Sequence, residues 1–304
     1  MPGGVGGARA RLTAPYPDTE LTLMGYSGQV RHSNCMQSHH SNLRGNPPGK
    51  IDGNGILRRM APPMIDLTNP SHVIAEIFDD DKWIKDEFAK QLSAELLKFS
   101  ETLADSFKRF PKLDKMSTDG DEQAAFVAGF IFGVFDDLVV SSKLLVSGKM
   151  VASGNLMRQA IEGIAVAILC SSRRPVFVSK GKGKGKATMK VDYWRKVKAQ
   201  DPIAFAHQSI GQLALNCDLL GVSRTAVDKL RAACRKYHLF SHPSLLGMAS
   251  RMSMGEPGPI YIGGNFDEAK LPAYRTEISE RVGLCGVLPT LIDGLIFRLE
   301  ANDQ

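Results

Sequence analysis

Met150–Cys170 reads MVASGNLMRQAIEGIAVAILC. Leu156, Ile161, Ile164, Ala165, Ile168 and Leu169 make it apolar nearly all round, which predicts a helix at the centre of a bundle. Asn155, Arg158 and Glu162 interrupt it at spacings of three and four, so they share one stripe. Buried singly, Arg158 and Glu162 would each be costly; paired, they roughly break even, so an internal ion pair is expected.

Helical periodicity extends outward on both sides. Upstream, Asn69-Pro70 caps a stripe that runs from Val73 through Trp83, Phe88 and Leu96 to Phe107 and ends before Pro111. A second helix is expected from about 119–121 to Val146. Downstream, a segment over 191–220 breaks at Asp201-Pro202, and Gly221-Val222-Ser223 supplies a stop and a new cap. Helices over Arg224–Ser241 and Leu271–Glu300 follow, with a turn-rich excursion GEPGPIYIGG at 255–264 between them. No strong strand alternation is read anywhere. The expected fold is all-α: a single bundle of five to seven helices over 67–304, behind a disordered leader at 1–66 rich in Gly, Pro, Ser and Asn.

Charge is unevenly placed. The chain of 304 residues carries net +6 with 43% apolar and 23% charged residues, ordinary for a globular protein. Residues 1–63 hold +4 and 173–198 hold +9, which leaves a mildly acidic remainder at −7. Within the basic segment, SKGKGKGKATMK at 179–190 cannot nucleate a helix and reads as a mobile loop. Lys180, Lys182, Lys184, Lys186 and Lys190, followed by Trp194, suit a nucleic-acid backbone with a stacked base. The run lacks Walker spacing. Five dispersed cysteines without a CxxC pair suit reduced thiols and a cytoplasmic protein. The most apolar stretch, Ala124 to Phe135, is too short to span, so no membrane segment is expected. His32, Cys35, His39 and His40 match no zinc spacing; neither metal nor cofactor is expected. Asp136 and Asp137, adjacent on a helix, diverge by about 100° and cannot share a proton or a metal. No nucleophile elbow and no HExxH occurs.

Leu230–Pro243, LRAACRKYHLFSHP, carries the chemistry-bearing residues. Arg235, His238 and His242 fall at i, i+3 and i+7, a fixed positive charge beside groups that titrate near neutrality. Pro243 disfavours α geometry at His242, so that histidine sits at the helix C-terminus. There it is either a phosphate clamp and proton carrier or a cap for the last carbonyls.

Arg235-Lys-Tyr-His-Leu-Phe-Ser-His242 resembles the Arg-x(4–6)-His signature of HEPN-type domains, all-α bundles that include metal-independent ribonucleases. The wider context, Arg158 and Glu162 on a central helix and Tyr237, Ser241, His242 and Pro243 at a later helix end, is similar to a HEPN-like bacterial family of unknown function. Lys236 departs from the Asn, Asp or His common after the arginine in ribonuclease members. The resemblance implies that Arg235 steadies a phosphate and His242 moves a proton, with a cyclic phosphate as product. It also implies a homodimer that pairs its motifs, with RNA as substrate and His238 as helper. Arg158, Glu162, Tyr237 and Ser241 would then support the site. The rival expectations are a non-catalytic interaction module and a nucleic-acid binder that uses the lysine loop.

Overall fold

The computed structural model describes residues 10–13, 20–23, 66–180, 187–254 and 260–301. The chain divides into a unit at Ser27–Asp80 and a larger one comprising Met1–Tyr26 and Asp81–Gln304. The smaller unit contributes α1 (Pro70–Ile77), opened by Pro70 behind Asn69, whose side chain accepts from the Ser71 amide. Within the stretch expected to be a leader, β1 (Ala10–Thr13) and β2 (Glu20–Leu23) pair antiparallel; the rest of it lies outside the described residues.

The larger unit is an all-α bundle built from five helices of 18 residues or more: α2 (Lys82–Phe107), α4 (Glu122–Val146), α5 (Met150–Cys170), α9 (Arg224–Ser241) and α11 (Leu271–Glu300). Shorter helices connect them: α3 (Phe110–Thr118), α6 (Tyr193–Lys198), α7 (Ala206–Leu215), α8 (Cys217–Leu220) and α10 (Leu245–Arg251). As its composition predicts, α5 is central and touches α4, α6, α7, α9 and α10. Ala160, Ile161, Ile164, Ala165, Ile168 and Leu169 are all buried. Gly154 lets α9 press directly on α5: a Cβ there would lie 2.6 Å from the Phe240 ring.

The structure departs from the sequence reading in four places. The stripe read as one helix from Asn69 to Phe107 is two helices, because Asp81 adopts a left-handed backbone (φ 54°) and its carboxylate accepts from Lys149 at 2.7 Å. Pro111 does not lie beyond a helix; it occupies the first turn of α3. Residues 245–251, unassigned in the sequence, form α10, opened by Ser244 accepting from the Gly247 amide.

The basic loop is framed by a hairpin, β3 (Val176–Lys180) with β4 (Ala187–Val191); only 181–186, with Lys182, Lys184 and Lys186, lie outside the described residues. Val176 and Val178 face the core, and the free edge of β3 is read by two side-chain amides, Gln212 of α7 and Asn216 at its C-terminal cap. Asn216 accepts from the Phe177 N–H at 2.8 Å and donates to its carbonyl at 2.7 Å, while Gln212 accepts from the Ser179 N–H at 2.9 Å. Tertiary hydrogen bonds thus reinforce a weak local strand signal.

Two segments, α4 and 268–300, are long and apolar enough to cross a membrane by length and composition. In the bundle, both carry buried polar groups that bond to other elements. In α4, Gln123 donates to the Cys170 carbonyl at 2.7 Å; in α11, Arg281 donates to Ser141 and Ser153.

Pro289 sits inside α11 and lacks the N–H that would bond the Cys285 carbonyl. Ser106 of α2 donates to that carbonyl at 2.8 Å, so α2 repairs the gap in α11. Ser106→Ala should therefore cost about 1–3 kcal/mol in urea unfolding. The cost should shrink in a Pro289→Ala background, where the backbone regains its donor. Equal costs in both backgrounds would refute the repair.

Candidate functional site

Five side chains meet where α5 and α9 cross. Glu162 accepts from Arg158 Nε at 2.8 Å, the ion pair expected from the sequence, and from the Cys234 thiol at 3.8 Å. The same guanidinium reaches His238: Nη1 lies 3.2 Å from Nδ1. Guanidinium only donates, so Nδ1 accepts and His238 carries its hydrogen on Nε2, facing outward as a donor. His238 and His242 then meet edge to face, with ring centroids 4.5 Å apart. His242 has extended backbone (φ −130°, ψ 154°), so it stands past the helix end as Pro243 requires. Both imidazoles are exposed, whereas Arg158 and Glu162 are largely buried beneath them.

The remaining expected residues divide. Ser241 donates to Asn155 Oδ1 at 2.9 Å, a second tie between α9 and α5. Tyr237 turns inward, away from the histidines, and donates to Glu277 at 2.9 Å; burial and Glu277 push its hydroxyl far above the usual range. Arg235 is exposed and makes no hydrogen bond or ion pair among the described residues. The guanidinium that touches a histidine is thus Arg158, which the sequence assigned a supporting place. Sequence spacing pairs residues within one helix and gives no sign of a contact across 80 positions.

The lysine hairpin lies elsewhere in the fold. Lys190 sits over the Phe177 ring at 5.1 Å, and Lys180 ends β3. Trp194 is half-buried against the core, with Phe126 at 6.1 Å and Arg195 over its ring. Among the described residues, no three His, Cys, Asp or Glu side chains gather as a metal site; His32, Cys35, His39 and His40 lie outside those residues.

Behind Glu162, a groove of about 220 Å³ runs between α4 and α5, lined by Gly129, Phe130, Gly133, Asp137 and Gln159. Burial, with Asp136 beside it, raises the Asp137 carboxyl to about 6. The two neighbours do not share a proton, but they do repel. A carboxyl raised in the folded state favours folding when protonated. Its contribution is full below the unfolded value and is lost as pH climbs towards 6. Asp137→Asn should therefore be more stable than wild type at pH 8, by an amount on the order of 1 kcal/mol after solvent screening, with the advantage gone near pH 4. Urea midpoints across that range measure it; a pH-independent difference would contradict the assignment.

No family model, curated protein or solved structure matches this chain.

Proposed function

We propose that the α5–α9 crossing binds a phosphodiester and that the protein is a HEPN-like, metal-independent endoribonuclease. The observation that supports this most is the Arg158–His238–His242 chain: a guanidinium fixed by Glu162, an imidazole whose tautomer it sets, and a second imidazole against the first. Arg158 and Arg235 supply positive charge for the phosphate oxygens, and His238 Nε2–H donates to one of them. His242, outside the Arg158 bond, takes the proton of the 2′-hydroxyl as its oxygen attacks phosphorus. It returns that proton to the departing 5′-oxygen, leaving a 2′,3′-cyclic phosphate. In this reading Arg158 acts on the phosphate from beneath, through the His238 ring that it orients. The four described cysteines are free, in keeping with a cytoplasmic setting.

A second reading, a protein-interaction module or homodimer surface, is favoured by Leu239, Leu245, Leu246 and Met248, large apolar side chains left exposed beside the histidines. A third, nucleic-acid binding through the lysine hairpin with a base stacked on Trp194, draws on Lys190 and Trp194 among the described side chains.

Purified protein incubated with single-stranded RNA in EDTA separates these readings. Cleavage to cyclic-phosphate ends is expected, with His242→Ala slower by about 10²–10⁴-fold. Uncleaved RNA with folded protein would overturn the nuclease proposal. Sedimentation that shows a dimer in wild type and a monomer in Leu245→Glu would then favour the interaction module.

A further inference from the structure

A second groove, larger than the one behind Glu162, lies away from the histidines. Leu96, Phe99, Ser100, Leu103, Ala104 and Phe107 repeat at helical spacing along one face of α2, opposite Val139, Ser142, Lys143 and Val146 of α4. Between them is a trough of about 500 Å³, within the roughly 300–1,000 Å³ of ligand pockets. Its α2 wall runs roughly 16 Å at 1.5 Å per residue. The lining is almost wholly apolar. Phe99 and Leu103, both buried in the core, form its floor, and Phe107 at its end is exposed.

The polar groups at the trough define what suits it. Ser100 and Ser142 spend their hydroxyl hydrogens on the Leu97 and Leu138 carbonyls of their own helices. Lys143 is exposed and makes no ion pair or hydrogen bond with its ammonium among the described residues. A long apolar trough with one uncommitted cation at its rim complements a flexible hydrocarbon chain that ends in an anion. The chain removes apolar wall from water along its length, and the head group meets the ammonium.

We propose that the α2–α4 groove binds a free fatty acid, a single acyl chain with a carboxylate head, with Lys143 as its head-group partner. Neutral chains of the same length should bind more weakly, and cationic ones should be repelled.

The test is calorimetric titration of the full chain with sodium laurate below its micelle concentration, beside 1-dodecanol and dodecyltrimethylammonium. Lys143 and Ala104 are both exposed, so Lys143→Glu and Ala104→Glu should leave the fold intact, which thermal unfolding checks. One saturable site is expected. Lys143→Glu should weaken laurate by about two- to fivefold, leave dodecanol unchanged and improve the cationic probe. Ala104→Glu, which places a charge in the trough, should weaken all three. The proposal is overturned if laurate shows no saturable binding, or if Lys143→Glu leaves its affinity unchanged. It is equally overturned if Ala104→Glu breaks a dimer while laurate binds neither variant nor wild type, since a second copy would then cover the groove.

Discussion

A buried arginine sets the geometry of the bundle. Arg281 of α11 is 1% exposed and would be prohibitively placed without partners. It donates to the Glu277 carbonyl at 2.6 Å and carboxylate at 3.1 Å, to Ser141 of α4 at 2.7 Å, and to Ser153 of α5 at 2.6 Å. Glu277 in turn accepts from Tyr237 of α9 and pairs with Lys236 at 3.0 Å. One charge pair therefore engages four helices. Such pairs add little net stability over an apolar filling, but losing one partner strands the other, at about 3–5 kcal/mol. Their value here is register: only one rotation of each helix satisfies them.

That register explains the candidate site. With Tyr237 pointing to Glu277, residues of α9 follow at about 100° steps. Ser241 and Cys234 lie about 40° and 60° away and reach Asn155 and Glu162 of α5. His238 lies about 100° away, on the rim, where Arg158 meets it. Arg235 lies about 160° away and faces water. The same inward anchor thus separates Arg235 from the α5 network and delivers His238 to it. Gly154, by admitting Phe240, brings the two helices close enough for those contacts.

Much of the fold was legible because its signals are local. The spans of α5, α9 and α11 follow from apolar periodicity and from Gly221, Pro243 and the stripe after Leu271. The Arg158–Glu162 pair was readable because its spacing of four is a helical contact. The break at Asp81 was hidden because the apolar stripe continues across it. The strand of Val176–Lys180 did alternate, with valines inward and Phe177 outward, but over too few residues to outweigh the glycine-lysine run beside it. The contacts that build the site, Arg158 to His238 and Tyr237 to Glu277, join residues 80 and 40 positions apart, and no periodicity encodes them. Arg158 was expected to support the site; it meets His238, and the extended backbone at His242 leaves that ring edge to face with His238.

The claim on which this account rests is that Arg158, His238 and His242 act as one phosphate-binding group. Nitrogen-15 NMR of histidine-labelled protein addresses it directly, with titration of an RNA oligonucleotide that carries a 2′-deoxy substitution at the reactive position. The account predicts an Nε2–H tautomer at His238 before ligand is added. It also predicts saturable shifts at His238 and His242 together, both abolished in Arg158→Ala. Imidazoles that stay unmoved at saturating oligonucleotide would contradict it.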